Sequence, residues 1–149
     1  MKLSWLSSTD RPIDVTELNR VGVHYEQVDV SDDMQPALDK PKQARGYVEQ
    51  DIIELTPETP NLGVLCDKFK DEHLHTDDEV RLVLGGEGVF EIRSADDTWM
   101  RVEVERGDLL VVPANCYHRF FLTPRKRTRC VRLFKHSSRW TPVYRETRV

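Results

Sequence analysis

From residue 79 onward the chain is a succession of short runs rich in β-branched and aromatic residues: EVRLVL, GVFEIR, WMRVEVE, DLLVVP, YHRFFLT and RCVRLFK. Turn signals separate them, in order Gly85-Gly86, Ser94 to Asp97, Gly107-Asp108, Pro113 to Asn115 and Pro124 to Arg127. Runs this close together leave no room for crossover helices. They must pair with one another and close into an all-β barrel or sandwich. Ahead of them, DVTELNRVG (14–22) offers Asp14 and Glu17 as a capping box, Val15, Leu18 and Val21 at helical spacing, and Gly22 as a stop, predicting a short amphipathic helix. VHYEQVDV and Tyr47 to Leu55 read as strands, and Asn61 to Phe69 as a helical turn. Pro36 and Pro41 are expected to limit any helix between Asp32 and Arg45.

A chain of 149 residues, 38% hydrophobic and 32% charged, can bury one core, so a single domain over residues 1–149 is expected. The longest apolar run, Leu109 to Val112, is too short for a membrane span, and Asp10 and Pro12 interrupt the N-terminus before a leader-like stretch develops. A cytoplasmic protein is expected. Cys66, Cys116 and Cys130 are odd in number and lack C-x-x-C spacing, which predicts reduced, mostly buried thiols. The net charge of −4 argues against a nucleic-acid binder. The basic stretch beyond Arg119 has neither aromatic platforms nor a recognition helix beside it, and its Pro124 to Arg127 portion reads as a solvated tip. With no extended apolar stripe on the surface, a monomer is expected.

The segment DEHLHTDDEVR (71–81) is where chemistry concentrates. In a strand, Glu79, Arg81 and Val83 face one side and Val80, Leu82 and Leu84 the other, so one face carries a charge pair into a β-interior. Such a pair is costly to bury unless it is hydrogen-bonded or bound to metal. His73 and His75, two residues apart, can bring two imidazoles to one point. With Glu79 they form H-x-H-x-x-x-E, the donor types that hold a divalent transition metal. Asp71, Glu72, Asp77 and Asp78 compete for the carboxylate role, and spacing favours Glu79. Of the remaining histidines, His118 opens a strand directly after a turn. His24 reads as a surface or packing residue and His136 as solvated. Arg132 shares a strand face with Cys130 and Phe134 and needs an acceptor, either a bound anion or a surface carboxylate.

The blocks EHLHTDDEVR, G-x-G-x-F-x-x-R, D-x-W-x-R, GDLLVVP, YHRF, RLF and W-T-P-x-x-R resemble the acireductone dioxygenases, cupin-fold metalloenzymes of methionine salvage. The likeness runs from Gly46 to Arg145, with a weaker portion at ELNRVGVHY. It implies a mainly β fold, the cupin double-stranded β-helix or jelly-roll barrel with short N-terminal helices. It also implies His73, His75, Glu79 and His118 as metal ligands and one Fe(2+) or Ni(2+) per chain. Arg81 and Arg132 match the family's substrate-anion contacts, and Phe69, Phe120 and Trp140 its pocket lining. The partners implied are an acireductone and O2.

Three imidazoles and one carboxylate would leave two positions of an octahedral divalent ion open to a chelating enediolate, with the ion as template and Lewis acid. The iron form of such enzymes cleaves 1,2-dihydroxy-3-keto-5-(methylthio)pentene to 2-keto-4-(methylthio)butyrate and formate. The nickel form gives methylthiopropionate, formate and carbon monoxide. PANCYH stands where the family has PAGIYH, and GGEG where it has DGSG. The alternatives are another cupin, either a metal-dependent isomerase or dioxygenase, or a non-enzymatic binding module with a structural metal.

Overall fold

The structure, a computed structural model, describes residues 1–8, 10–31, 34–75, 78–134 and 143–145. Its longest element is a strand, β5 (Glu79–Arg93), which belongs to two sheets. The other strands are β1 (Lys2–Trp5), β2 (His24–Gln27), β3 (Glu49–Leu55), β4 (His73–Leu74), β6 (Trp99–Glu105), β7 (Asp108–Val112), β8 (His118–Phe121), β9 (Thr128–Phe134) and β10 (Val143–Tyr144). The first half of β5 lies in the order β2-β7-β5-β9-β3, and the second half in the order β1-β6-β5-β8-β4-β10. Every pairing among the described residues is antiparallel. Val83, Leu110, Val112 and Cys130 from one sheet and Phe90, Ile92, Met100 and Val102 from the other fill a shared interior. This is the cupin jelly-roll architecture.

The second core explains why β7 reads as an unbroken apolar run. Leu110 and Val112 face the interior while Leu109 and Val111 face outward, where Val28, Leu38 and Tyr47 cover them. With both faces buried, alternation disappears. Leu38 comes from α2 (Gln35–Arg45), which departs from expectation: the helix runs through Pro41 for eleven residues. Pro36 sits in the first turn, where its missing N–H costs nothing, and Gly46 ends the helix at φ 76° with its N–H on the Lys42 carbonyl. Burial of Leu38 outweighs the one hydrogen bond lost at Pro41. The helix α1 (Val15–Arg20) follows its pattern, with the Asp14 carboxylate accepting from the Thr16 N–H at 2.9 Å and Leu18 fully buried. The predicted turn after Asn61 is a full helix, α3 (Leu62–Lys70). No described helix is long and apolar enough to cross a membrane.

Gly85-Gly86 is the second correction. The pair does not turn the chain back; it bulges β5 between Val83 and Gly85 and redirects the strand from one sheet to the other. Gly86 has φ +70°, and a Cβ there would land on the Arg127 carbonyl. Gly86→Ala should therefore destabilise the protein by more than about 1 kcal/mol, read as a lower urea midpoint at unchanged slope. An unchanged midpoint would mean that the bulge tolerates repacking. Of the thiols, Cys130 is buried, Cys66 and Cys116 are partly so, and all three are free. Burial pushes the Cys116 thiol up to about 11, so it stays protonated at neutral pH.

Candidate metal centre

His73 stands directly across from His118 in the β4–β8 pairing, and His118 in turn stands opposite Ile92 on β5. Ladder register therefore joins two imidazoles separated by forty-five positions in sequence. His75 follows on the same side of the chain. The ligand nitrogens of these three histidines lie within 4.8 Å of one another, and all three side chains are buried. Glu79, at the start of β5, points its Oε2 at His118 Nε2, 2.7 Å away, with His75 Nε2 at 3.6 Å.

Two backbone carbonyls set the tautomers. His73 Nδ1 lies 2.7 Å from the Asp71 carbonyl and His118 Nδ1 lies 2.9 Å from the Cys116 carbonyl. A carbonyl oxygen only accepts, so each Nδ1 carries the proton and donates it. In the neutral ring the Nε2 lone pair then faces inward. At His73 burial above all, then the charge of His118, pushes the pKa below its usual value and keeps the ring neutral. Burial pushes Glu79 up, but Arg81 and then His118 outweigh it and hold the carboxyl well below the usual range. The carboxylate oxygen of Glu79 and the Nε2 of His118 thus stand 2.7 Å apart in a buried site. Two acceptors at that distance need a cation between them, either a proton or a metal ion. The donor set of three nitrogens and one oxygen suits a divalent transition metal.

Two of the competing carboxylates, Asp78 and Glu72, are engaged elsewhere. Asp78 accepts from the Tyr47 hydroxyl at 2.9 Å and the Ala114 N–H at 2.9 Å, which ties the segment before β5 to the turn before β8. Glu72 accepts from Arg93 at 2.8 and 3.2 Å. Asp71 contributes its carbonyl to His73, and Asp77 lies outside the described residues. His24 is exposed, 3.5 Å from Glu26, and His136 lies outside the described residues. Asn115 adopts φ 66° and donates its N–H to the His75 carbonyl at 2.8 Å. Asparagine tolerates this left-handed conformation, so PANCYH keeps the turn that PAGIYH would make.

The four groups open onto a cavity of about 270 Å³. Arg81 and Arg132 line it from β5 and β9, where they are register partners. Burial pushes the Arg81 pKa down, but Glu79 outweighs it and keeps the guanidinium charged, its Nε 2.7 Å from Glu79 Oε1. Arg132 finds its acceptor in Asp51, with a paired contact at 2.8 and 2.6 Å. The carboxylate comes from β3, opposite Arg132 in register, a pairing the sequence does not display. Phe69 from α3 and Phe120 from β8 form the apolar wall, ring centroids 6.1 Å apart. Gly88 makes this possible, since a Cβ there would meet the Phe120 ring at 2.7 Å. Trp140 lies outside the described residues. Two lining residues escape sequence reasoning, Lys68 and Tyr144.

The model of the ARD/ARD' family matches residues 5–142. The chain belongs to this family. Family relatives include the acireductone dioxygenase of Heterostelium pallidum, 42% identical over 142 residues that cover 95% of this chain and 97% of that one. The human acireductone dioxygenase is 37% identical over 91% of this chain and 76% of its own length. Among solved structures, the acireductone dioxygenase from Bacillus anthracis with a cadmium ion in its active centre superposes with a TM-score of 0.87 at 30% identity. That alignment covers 95% of this chain and 96% of the other.

Proposed function

We infer that the cavity binds one divalent ion on His73, His75, Glu79 and His118 and the enediolate of an acireductone beside it. The enzyme is a metal-dependent dioxygenase of the acireductone family. The observation that carries the reading is the buried 2.7 Å approach of Glu79 Oε2 to His118 Nε2 within a cluster of three histidines, an arrangement that calls for a cation. A cadmium ion occupies the active centre of the Bacillus anthracis relative, which supports a divalent metal here. Fe(2+) or Ni(2+), one per chain, fits the donor set, with nickel bound more tightly and cellular supply deciding the load.

When bound, the ion supplies a Lewis-acid centre and a template for a chelating pair of oxygens. The chain supplies the rest. His73 and His118 are held by backbone carbonyls, so neither ring must reorganise to present its lone pair. Arg81, charged and buried, offsets the negative charge of a deprotonated enediol in a water-poor site. Arg132 adds a second positive charge across the β5–β9 pair, steadied by Asp51. Phe69 and Phe120, with Trp140 as a third candidate, enclose the thioether tail and exclude water. O2 then cleaves the substrate to 2-keto-4-(methylthio)butyrate and formate with iron, or to methylthiopropionate, formate and carbon monoxide with nickel.

Metal-free protein reloaded with Fe(2+) in the presence of an acireductone should consume oxygen, and reloading with Ni(2+) should change the carbon products. Full oxygen consumption in the metal-free protein, or identical products with both metals, would remove the basis of the assignment.

A further inference from the structure

Tyr144, the second residue of β10, lines the cavity. This strand pairs antiparallel with β4, which puts Tyr144 opposite His73. Tyr144 lines the cavity, whereas Arg145, just past the strand, makes its contacts elsewhere. The Tyr144 ring lies 5.9 Å from the His73 ring on the cavity wall, and its hydroxyl donates to the Lys68 carbonyl at 3.4 Å. One side chain thus spans from the sheet to Lys68 in the last turn of α3, next to Phe69. This wall belongs to the sheet opposite the β5–β9 pair that carries Arg81 and Arg132. The two arginines and the Tyr144 ring therefore reach the cavity from different sheets.

Arg145 faces outward. Its Nη1 lies 2.9 Å from Glu72 Oε2 and 3.0 Å from Asp97 Oδ1, its Nη2 lies 3.1 Å from Asp97 Oδ2, and its guanidinium lies 4.8 Å from the centroid of the Tyr117 ring. Its N–H also donates to the Glu72 carbonyl at 3.0 Å. Glu72 is itself held by Arg93, which carries a further bond to the Asp97 carbonyl. Two ladder positions do not fix a strand. Among the described residues, what fastens β10 is the Arg145 cluster, two of whose anchors, Glu72 and Tyr117, are immediate neighbours of His73 and His118.

Building on the acireductone reading of the cavity, we propose that Tyr144 is a substrate-positioning residue, the lip that confines the apolar tail of the substrate against Phe69 and Phe120. Arg145 acts through it, as the latch that keeps the lip on α3. The lip makes tail length, and not the enediol, the quantity that Tyr144 discriminates. Tyr144 is 45% exposed, so its outer edge meets solvent where a longer tail would have to pass.

The test compares wild type, Tyr144→Ala, Tyr144→Phe, Arg145→Ala and the double alanine variant, each loaded with the same metal, on acireductones of graded tail length. Metal content and circular dichroism accompany the kinetics. Tyr144→Ala should raise KM about tenfold with kcat within about twofold, and should flatten the dependence on tail length. Tyr144→Phe keeps the ring and should recover most of that loss. Arg145→Ala should reproduce the Tyr144→Ala phenotype and add little to it in the double variant. An unchanged tail preference in metal-replete Tyr144→Ala overturns the lip, and multiplying effects overturn the latch. Should the alanine variant lose metal, Tyr144→Leu, which removes the ring and the hydroxyl contact to Lys68 but keeps an apolar side chain, carries the same comparison. Wild type without turnover on either metal would instead overturn the acireductone reading itself.

Discussion

His118→Ala is expected to lose the metal and, with it, oxygen-dependent turnover. The imidazole opens β8, is 2% exposed, and is fixed from behind by the Cys116 carbonyl, so its Nε2 has one possible direction. Removing it takes away one of four donors and the group nearest to Glu79 Oε2. Loss of a mere supporting contact to a ligand costs about 10- to 100-fold in metal affinity, and loss of the ligand itself must exceed that. Stability gives a second readout that does not depend on turnover. A metal at one hundred times its Kd stabilises the wild type by about 2.7 kcal/mol, which for a chain of this size raises Tm by about 5–10 °C. The variant should show no such rise. Metal analysis after dialysis against a chelator, with and without added Ni(2+), checks both points; a fully loaded, normally active His118→Ala would remove this residue from the ligand set.

The legible parts of the site share one property: their information is local. H-x-H followed by Glu79 is a strand pattern of period two, and the seam between two buried faces shows as the unbroken run Leu109 to Val112. His118 could be placed because a turn precedes it and a strand follows. What stayed hidden depends on register between distant strands. Asp51 meets Arg132 only because β3 pairs with β9, eighty-one positions apart. The two residues of β10 are too few to carry periodicity, so Tyr144 had no signal of its own. Glycine misled for a related reason. Gly85-Gly86 has the composition of a hairpin turn, yet the neighbouring Thr128 and Arg129 continue the ladder past it and convert the turn into a bulge. Proline misled at α2, where burial of Leu38 from the outer sheet face overrides a weak helical preference.

Arg81→Met should keep the metal, lower kcat/KM by about two to three orders of magnitude, and destabilise the metal-free protein more than the metal-loaded one. The kinetic effect follows from removing a charged, buried partner of an anionic substrate, a loss worth about 2–5 kcal/mol. Methionine preserves the unbranched stem, so the loss belongs to the guanidinium and not to a void. The effect on folding follows from Glu79. Its carboxylate is 4% exposed and its Oε1 lies 2.7 Å from Arg81 Nε; without that partner the metal-free protein buries an uncompensated charge at a cost of about 3–5 kcal/mol. A divalent ion on Oε2 compensates the same charge from the other side. The difference in urea midpoint between variant and wild type should therefore shrink when metal is added. Equal destabilisation with and without metal would place the cation away from Glu79, whereas unchanged kcat/KM in a folded, metal-replete variant would assign Arg81 to the support of Glu79 alone.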